Sequence, residues 1–300
     1  MTGSLPLVID FPFSPILIQL GPLAIRWYGV CYAIAFIVGV WVAGRHARAR
    51  GFGDAELGNM AFWSIVIGLI AARLYYVVQS GLGWYLTHPL HILAVWEGGM
   101  AYYGAVIAVP IFLVLYCIRK RMDWWVILDA AAFFAAVGQP IGRVGNIFNG
   151  ESDLLGPRSN LPWAFAYTNP DTMAPQLGVG YQPAGLYELV LALIILGVLL
   201  LLRSRLRLRA GALFLIYLFL YALSQFGIFF LRDNSVTLWG LKQAQLTSLA
   251  LLLVAVILTV VWFRLGPRQG GTPASEPAGA EAGSQDPGGE VLAGNDRVDR

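Results

Sequence analysis

The sequence predicts an all-α polytopic membrane protein of seven transmembrane helices, with the N-terminus outside, the C-terminus cytoplasmic and a small extracytoplasmic cap. Three observations carry that prediction. The mean hydropathy is +0.66, with 58% hydrophobic and 12% charged residues, whereas soluble domains hold about 45–50% apolar and about 25% charged residues. Apolar runs near residues 23–44, 57–79, 100–118, 124–142, 183–202, 211–230 and 244–263 each suit a helix crossing a hydrocarbon core about 30 Å thick. Twelve of the twenty Lys and Arg residues follow the first, third, fifth and seventh runs. The positive-inside rule places those ends in the cytoplasm.

Taken in order, Met1 to Gly21 hold no Lys or Arg and no small-residue cleavage site, so this segment does not read as a removable signal peptide. The first run closes on Arg45-His46-Ala47-Arg48-Ala49-Arg50. Cys31 and Cys117 fall at opposite depths, which excludes a disulfide and leaves them as packing residues. Between the second and third runs, Ser80 to Gly99 carries Trp84, Tyr85, His88, His91 and Trp96, a composition suited to the membrane interface. Arg119-Lys120-Arg121 follows the third run. Residues 150–181 are rich in Pro, Asn and Gly around Leu161-Pro162-Trp163, too polar to span, and are expected to form the cap. Arg203, Arg205, Arg207 and Arg209 follow the fifth run, and Arg264 and Arg268 the seventh. Residues 1–265 are therefore expected to be one transmembrane domain. Residues 266–300, with almost no large apolar side chain, are expected to be a disordered cytoplasmic tail. The short inner loops carry no nucleotide motif, nothing points to nucleic acid, and no metal-ligand cluster is evident.

At 1.5 Å of rise per residue, six runs place a polar group within about 10 Å of the outer boundary. These are Tyr28, Arg73, Tyr103, Arg143, Glu188 and Gln225. A channel or proton relay would string such groups from face to face, so the belt points to a pocket open to the outer leaflet. That weighs against a small-solute transporter, the reading from another class. Asp129 lies deep toward the inner face, where a structural hydrogen-bonding role and a functional one are both open. Arg73 and Glu188, at equal depth and opposite in charge, are expected to pair, leaving Arg143 as the less compensated cation. An arginine fork in a lipid-facing pocket matches phosphate oxygens. Asn146, three residues on, shares its face if the helix continues. Pro140 and the glycines argue against that continuity, and Gly145 would let backbone approach a phosphate.

The stretch Gly142-Arg143-Val144-Gly145-Asn146-Ile147-Phe148-Asn149-Gly150-Glu151 resembles the signature of the prolipoprotein diacylglyceryl transferases. Agreeing pieces follow in order: Trp27-Tyr28-Gly29, Ala72-Arg73, Trp96-Glu97-Gly98-Gly99-Met100, Asp129 and Leu186-Tyr187-Glu188. The resemblance implies a multi-pass enzyme of the bacterial cytoplasmic membrane, its site toward the outer leaflet. Its reaction moves the diacylglyceryl group of phosphatidylglycerol to the lipobox cysteine of a prolipoprotein signal peptide, releasing glycerol phosphate without a cofactor or metal. It makes Arg143, Tyr103 and Glu151 candidate catalytic residues, and Arg143, Asn146, Tyr28, Gly145, Gln225 and Arg232 candidates for substrate binding. The chain departs from the family at Tyr103, where histidine is usual, and at Gln225 and Phe229, where arginine and glutamate are usual. A homologue that binds lipid or signal peptide without efficient transfer is the alternative those departures raise.

Overall fold

The computed structural model describes residues 8–265 apart from Pro22, Val95, Glu97 and Arg207. The expected tail at 266–300 lies outside the described residues. Seven α-helices are present among them: α1 Trp27–Arg48, α2 Asp54–Thr87, α3 Tyr102–Arg119, α4 Trp124–Asn149, α5 Ala184–Arg205, α6 Ala212–Ile228 and α7 Gln243–Leu265. Five of them, α1, α2, α4, α5 and α7, are long and apolar enough to cross a membrane, while α3 and α6 are shorter apolar helices. The chain is thus a largely helical, multi-pass membrane protein.

Helix α4 is the central one. It is the most buried of the five long spans, packed against α1, α3, α5 and α6. Its start is set by Asp123, whose side chain accepts from the Trp125 amide at 2.9 Å, the usual way to satisfy an orphan first-turn N–H. Its end is set by Gly150, whose left-handed φ of 67° closes the helix while its N–H bonds the Asn146 carbonyl at 3.0 Å. Between them the helix runs through Pro140, beyond the expected end at 142. Packing explains the overrun. A side chain at Gly145 would put its Cβ 2.9 Å from Cys31 Cβ and 3.1 Å from Tyr28 Cα, so the glycine lets α1 lie directly on α4. That contact offsets the hydrogen bond that proline cannot make.

Asp129 ties α4 to α6. Fully buried, its carboxylate accepts from the Gly211 and Phe214 amides at 2.8 Å each, capping the first turn of α6. Of the two roles left open for Asp129, the structure gives the structural one. Trp125 fills the space above Gly211, where a Cβ would lie 2.4 Å from the ring.

The all-α expectation needs one correction, because short strands accompany the helices. β1 (Ile9–Phe11) pairs in parallel with β4 (Phe165–Tyr167), which pairs antiparallel with β5 (Gly180–Tyr181). β2 (Ile16–Leu20) and β3 (Leu23–Arg26) form one antiparallel hairpin, and β6 (Val236–Leu238) and β7 (Leu241–Lys242) another. The three-stranded sheet carries its own apolar cluster of Phe11, Leu155, Phe165, Tyr167 and Tyr181. Strands this short carry no period-two pattern long enough to read from sequence. The cap segment is pinned to the helices by Tyr167, whose hydroxyl donates to the Ile147 carbonyl at 2.9 Å, and by Trp163, whose indole donates to the Tyr187 hydroxyl at 2.7 Å.

Candidate active site

Where α4, α5 and the end of α6 meet, one carboxylate takes two arginines. Glu188 Oε2 lies 2.6 Å from Arg143 Nη2, and Glu188 Oε1 lies 3.1 Å from Arg232 Nη1. The Glu188 side chain is 1% exposed and that of Arg232 6%, while Arg143 keeps 20%. Two cations on one anion leave a single positive charge on this trio. Neither contact has the alignment of a hydrogen bond, and Arg232 Nε is buried without a hydrogen-bond partner among the described residues. The guanidinium of Arg232 also lies 4.4 Å from the Phe229 ring centroid, a cation–π contact.

The expected Arg73–Glu188 pair is therefore not formed. Arg73 is buried on α2, where it donates to the carbonyls of His91, Ile92, Gly98 and Gly99 over 2.5 to 3.0 Å. Its planar fork holds the segment between α2 and α3 from within, flanked by the rings of Tyr76 and Tyr85. Gly99 is part of the fit, since at its φ of 79° a Cβ would fall 2.3 Å from Tyr76. Arg143 in turn is not uncompensated, because Glu188 belongs to it and to Arg232.

A second cluster adjoins the end of α4. Glu151 accepts from Asn146 Nδ2 at 2.9 Å and from Asn149 Nδ2 at 3.0 Å. The continuous helix puts Asn146 within one turn of Arg143, and both asparagines reach Glu151, just past the Gly150 cap. Asn146 Oδ1 is buried with no hydrogen-bond partner among the described residues. Arg26 completes the cluster, its Nη1 donating to Asn149 Oδ1 at 3.1 Å and to the Asp171 carbonyl at 3.3 Å. Sequence reasoning missed Arg26, whose only signal was its place directly before Trp27-Tyr28-Gly29. Between this cluster and the cap a small cavity is lined by Asn146, Glu151, Leu154, Tyr167 and Leu186. The Tyr167 hydroxyl donates to the Ile147 carbonyl, and burial pushes this phenol up from its ordinary value.

The remaining candidates divide. Tyr28 lies on α1 with its ring 4.5 Å from that of Tyr32, while its backbone meets Gly145. Gly145 itself is inside helix α4 and faces α1, so it brings two helices together and offers no free amide to a phosphate. Gln225 is half-buried on α6, one turn before Phe229, whose amide bonds the Gln225 carbonyl at 3.3 Å. Tyr103 lies in the first turn of α3, 43% exposed, its ring 6.3 Å from that of Tyr75 on α2.

The family model described as prolipoprotein diacylglyceryl transferase matches residues 15–261. The chain belongs to this family. A relative from Bordetella avium is 35% identical over 271 residues, covering 87% of this chain and all of that one. One from Cupriavidus metallidurans is 35% identical, covering 85% and 95% respectively, and one from Synechococcus elongatus is 36% identical, covering 83% and 87%. All three are named phosphatidylglycerol--prolipoprotein diacylglyceryl transferase. Within this family member the signature stretch Gly142 to Glu151 is the end of one helix together with its cap. The two polar clusters flank the Arg143 to Asn149 helix end.

Proposed function

We propose that this protein transfers the diacylglyceryl group of phosphatidylglycerol to the lipobox cysteine thiol of prolipoprotein signal peptides. Seven spans, α3 and α6 among them, would carry the site toward the outer leaflet of the bacterial inner membrane. The observation that carries the reading is the Arg143–Glu188–Arg232 trio. It stands at a helix end with buried polar atoms of Asn146 and Arg232 that have no hydrogen-bond partner among the described residues.

In the reaction the thiolate sulfur bonds to the glycerol carbon as that carbon's bond to the phosphate oxygen breaks. The products are a thioether and glycerol phosphate. A free thiol with a pKa of about 8.5 is only slightly ionised near neutrality, so a positive field at the site favours the thiolate. The same field favours the charge that builds on the leaving phosphate, and does so most where the donors are already in place. Glu188 supplies that preorganisation. It holds both arginines in the apolar bundle while their imperfect alignment leaves guanidinium donors that a phosphate can take up. Asn146 and Glu151 shape the headgroup pocket, with Arg26 and Asn149 fixing the Glu151 carboxylate, and Tyr103 orients a substrate from α3.

The test is the full chain in phosphatidylglycerol vesicles with a lipobox peptide. The expected result is a peptide mass gain of one diacylglyceryl group with stoichiometric release of glycerol phosphate. Peptide capture without mass gain would replace the transferase reading with binding alone.

A further inference from the structure

We propose that the β6–β7 hairpin seats its tip in the interfacial layer of the bilayer, with Trp239 as the anchor. Strand partners Leu238 and Leu241 leave a two-residue turn of Trp239 and Gly240, with φ of 50° and 74°. Positive φ at both centres is the pattern of a type I′ turn, which Asn-Gly, Asp-Gly or Gly-Gly ordinarily fill. A large side chain is sterically disfavoured there, and an indole has no short polar group to bond the turn as asparagine does. What retains tryptophan at this position must therefore lie outside the turn. Among the described residues nothing covers the indole, because Trp239 is 84% exposed, and Leu238 beside it is 48% exposed.

Continuity identifies the occupant. Phe230 and Leu231 at the end of α6 are exposed, as are Phe219 and Leu223 along it and Leu249 and Leu253 on α7. In a multi-pass protein these helix faces meet hydrocarbon, and the hairpin, packed on α7, carries the exposed Val236, Leu238 and Trp239 just past the end of α6. An indole, with an apolar body and one N–H donor, is suited to the headgroup boundary. The base of the hairpin is held from the other side, since Lys242 Nζ donates to the Phe229 carbonyl at 2.7 Å and to the Arg232 carbonyl. An anchored tip thereby steadies the backbone that presents Arg232 to Glu188. The inference rests on the membrane placement of α6 and α7 and is independent of the transfer reaction.

A Trp239→Cys variant carrying an environment-sensitive fluorophore, with the native Cys31 and Cys117 buried, tests this in vesicles. Quenching by a headgroup-level nitroxide lipid is expected to exceed quenching by aqueous iodide. Stronger iodide quenching would place the tip in water, and quenching by neither would place it against protein; either result overturns the anchor. The same label at Ile257 on α7 must be quenched by a deep nitroxide, so failure there would indict the span placement and not the hairpin.

Discussion

Glu188 is the residue on which the polar end of the bundle depends. Replacing it by glutamine leaves Arg143 and Arg232 facing each other in an apolar setting, and breaking a buried pair from one side typically costs about 3–5 kcal/mol. Glu188→Gln is accordingly expected to lose stability on that scale, read as thermal unfolding in detergent. Because Arg73 bonds backbone carbonyls between α2 and α3 and has no share in Glu188, losses from Arg73→Gln and Glu188→Gln should add within about 0.5 kcal/mol. Partial recovery in the double variant would restore the pairing that depth alone suggested. A sequence carries each residue's position along its helix but not its azimuth. Helical rise places Arg73 and Glu188 at one level, but which side of each helix faces which neighbour follows from packing across the bundle. The same limit hid Arg232 as the second partner of Glu188.

Among the elements, the helices were legible because their apolar runs are long, and the ends of those runs were less so. Helix α4 outlasts its expected end because glycine contacts with α1 override the proline, and that extension turns the signature from a loop into a helix face. The strands of the cap, three residues or fewer in β1, β4 and β5, exist through tertiary pairing, including a partner from the far N-terminal segment. Asp129 shows the reverse case, a buried charge whose role is the start of another helix. Asp129→Leu is expected to cost about 1–2 kcal/mol through loss of the cap on α6, with faster amide exchange at Gly211 and Phe214. Asp129→Asn, which keeps one acceptor oxygen, should lose less. Equal protection at those amides in wild type and Asp129→Leu would show that the cap is dispensable.

For the whole molecule, the orientation expected from the arginines at alternate loops is open to a direct test. Single cysteines placed within 45–50 or 203–209 should resist an impermeant thiol reagent in intact cells, while one within 152–180 should react. The reverse pattern would put the Arg143 end of the bundle on the cytoplasmic side. The most direct measurement of the site is the transfer rate of Arg143→Ala in phosphatidylglycerol vesicles. Its fold should survive, since Glu188 keeps Arg232 as a partner. Losing a preorganised donor at a developing charge lowers rates on the order of 100- to 1000-fold, and at least that loss is expected, with Arg143→Lys recovering little because the planar fork is gone. A folded Arg143→Ala protein that transferred within a few-fold of wild type would contradict the assignment of the Arg143–Glu188–Arg232 trio as the phosphate site.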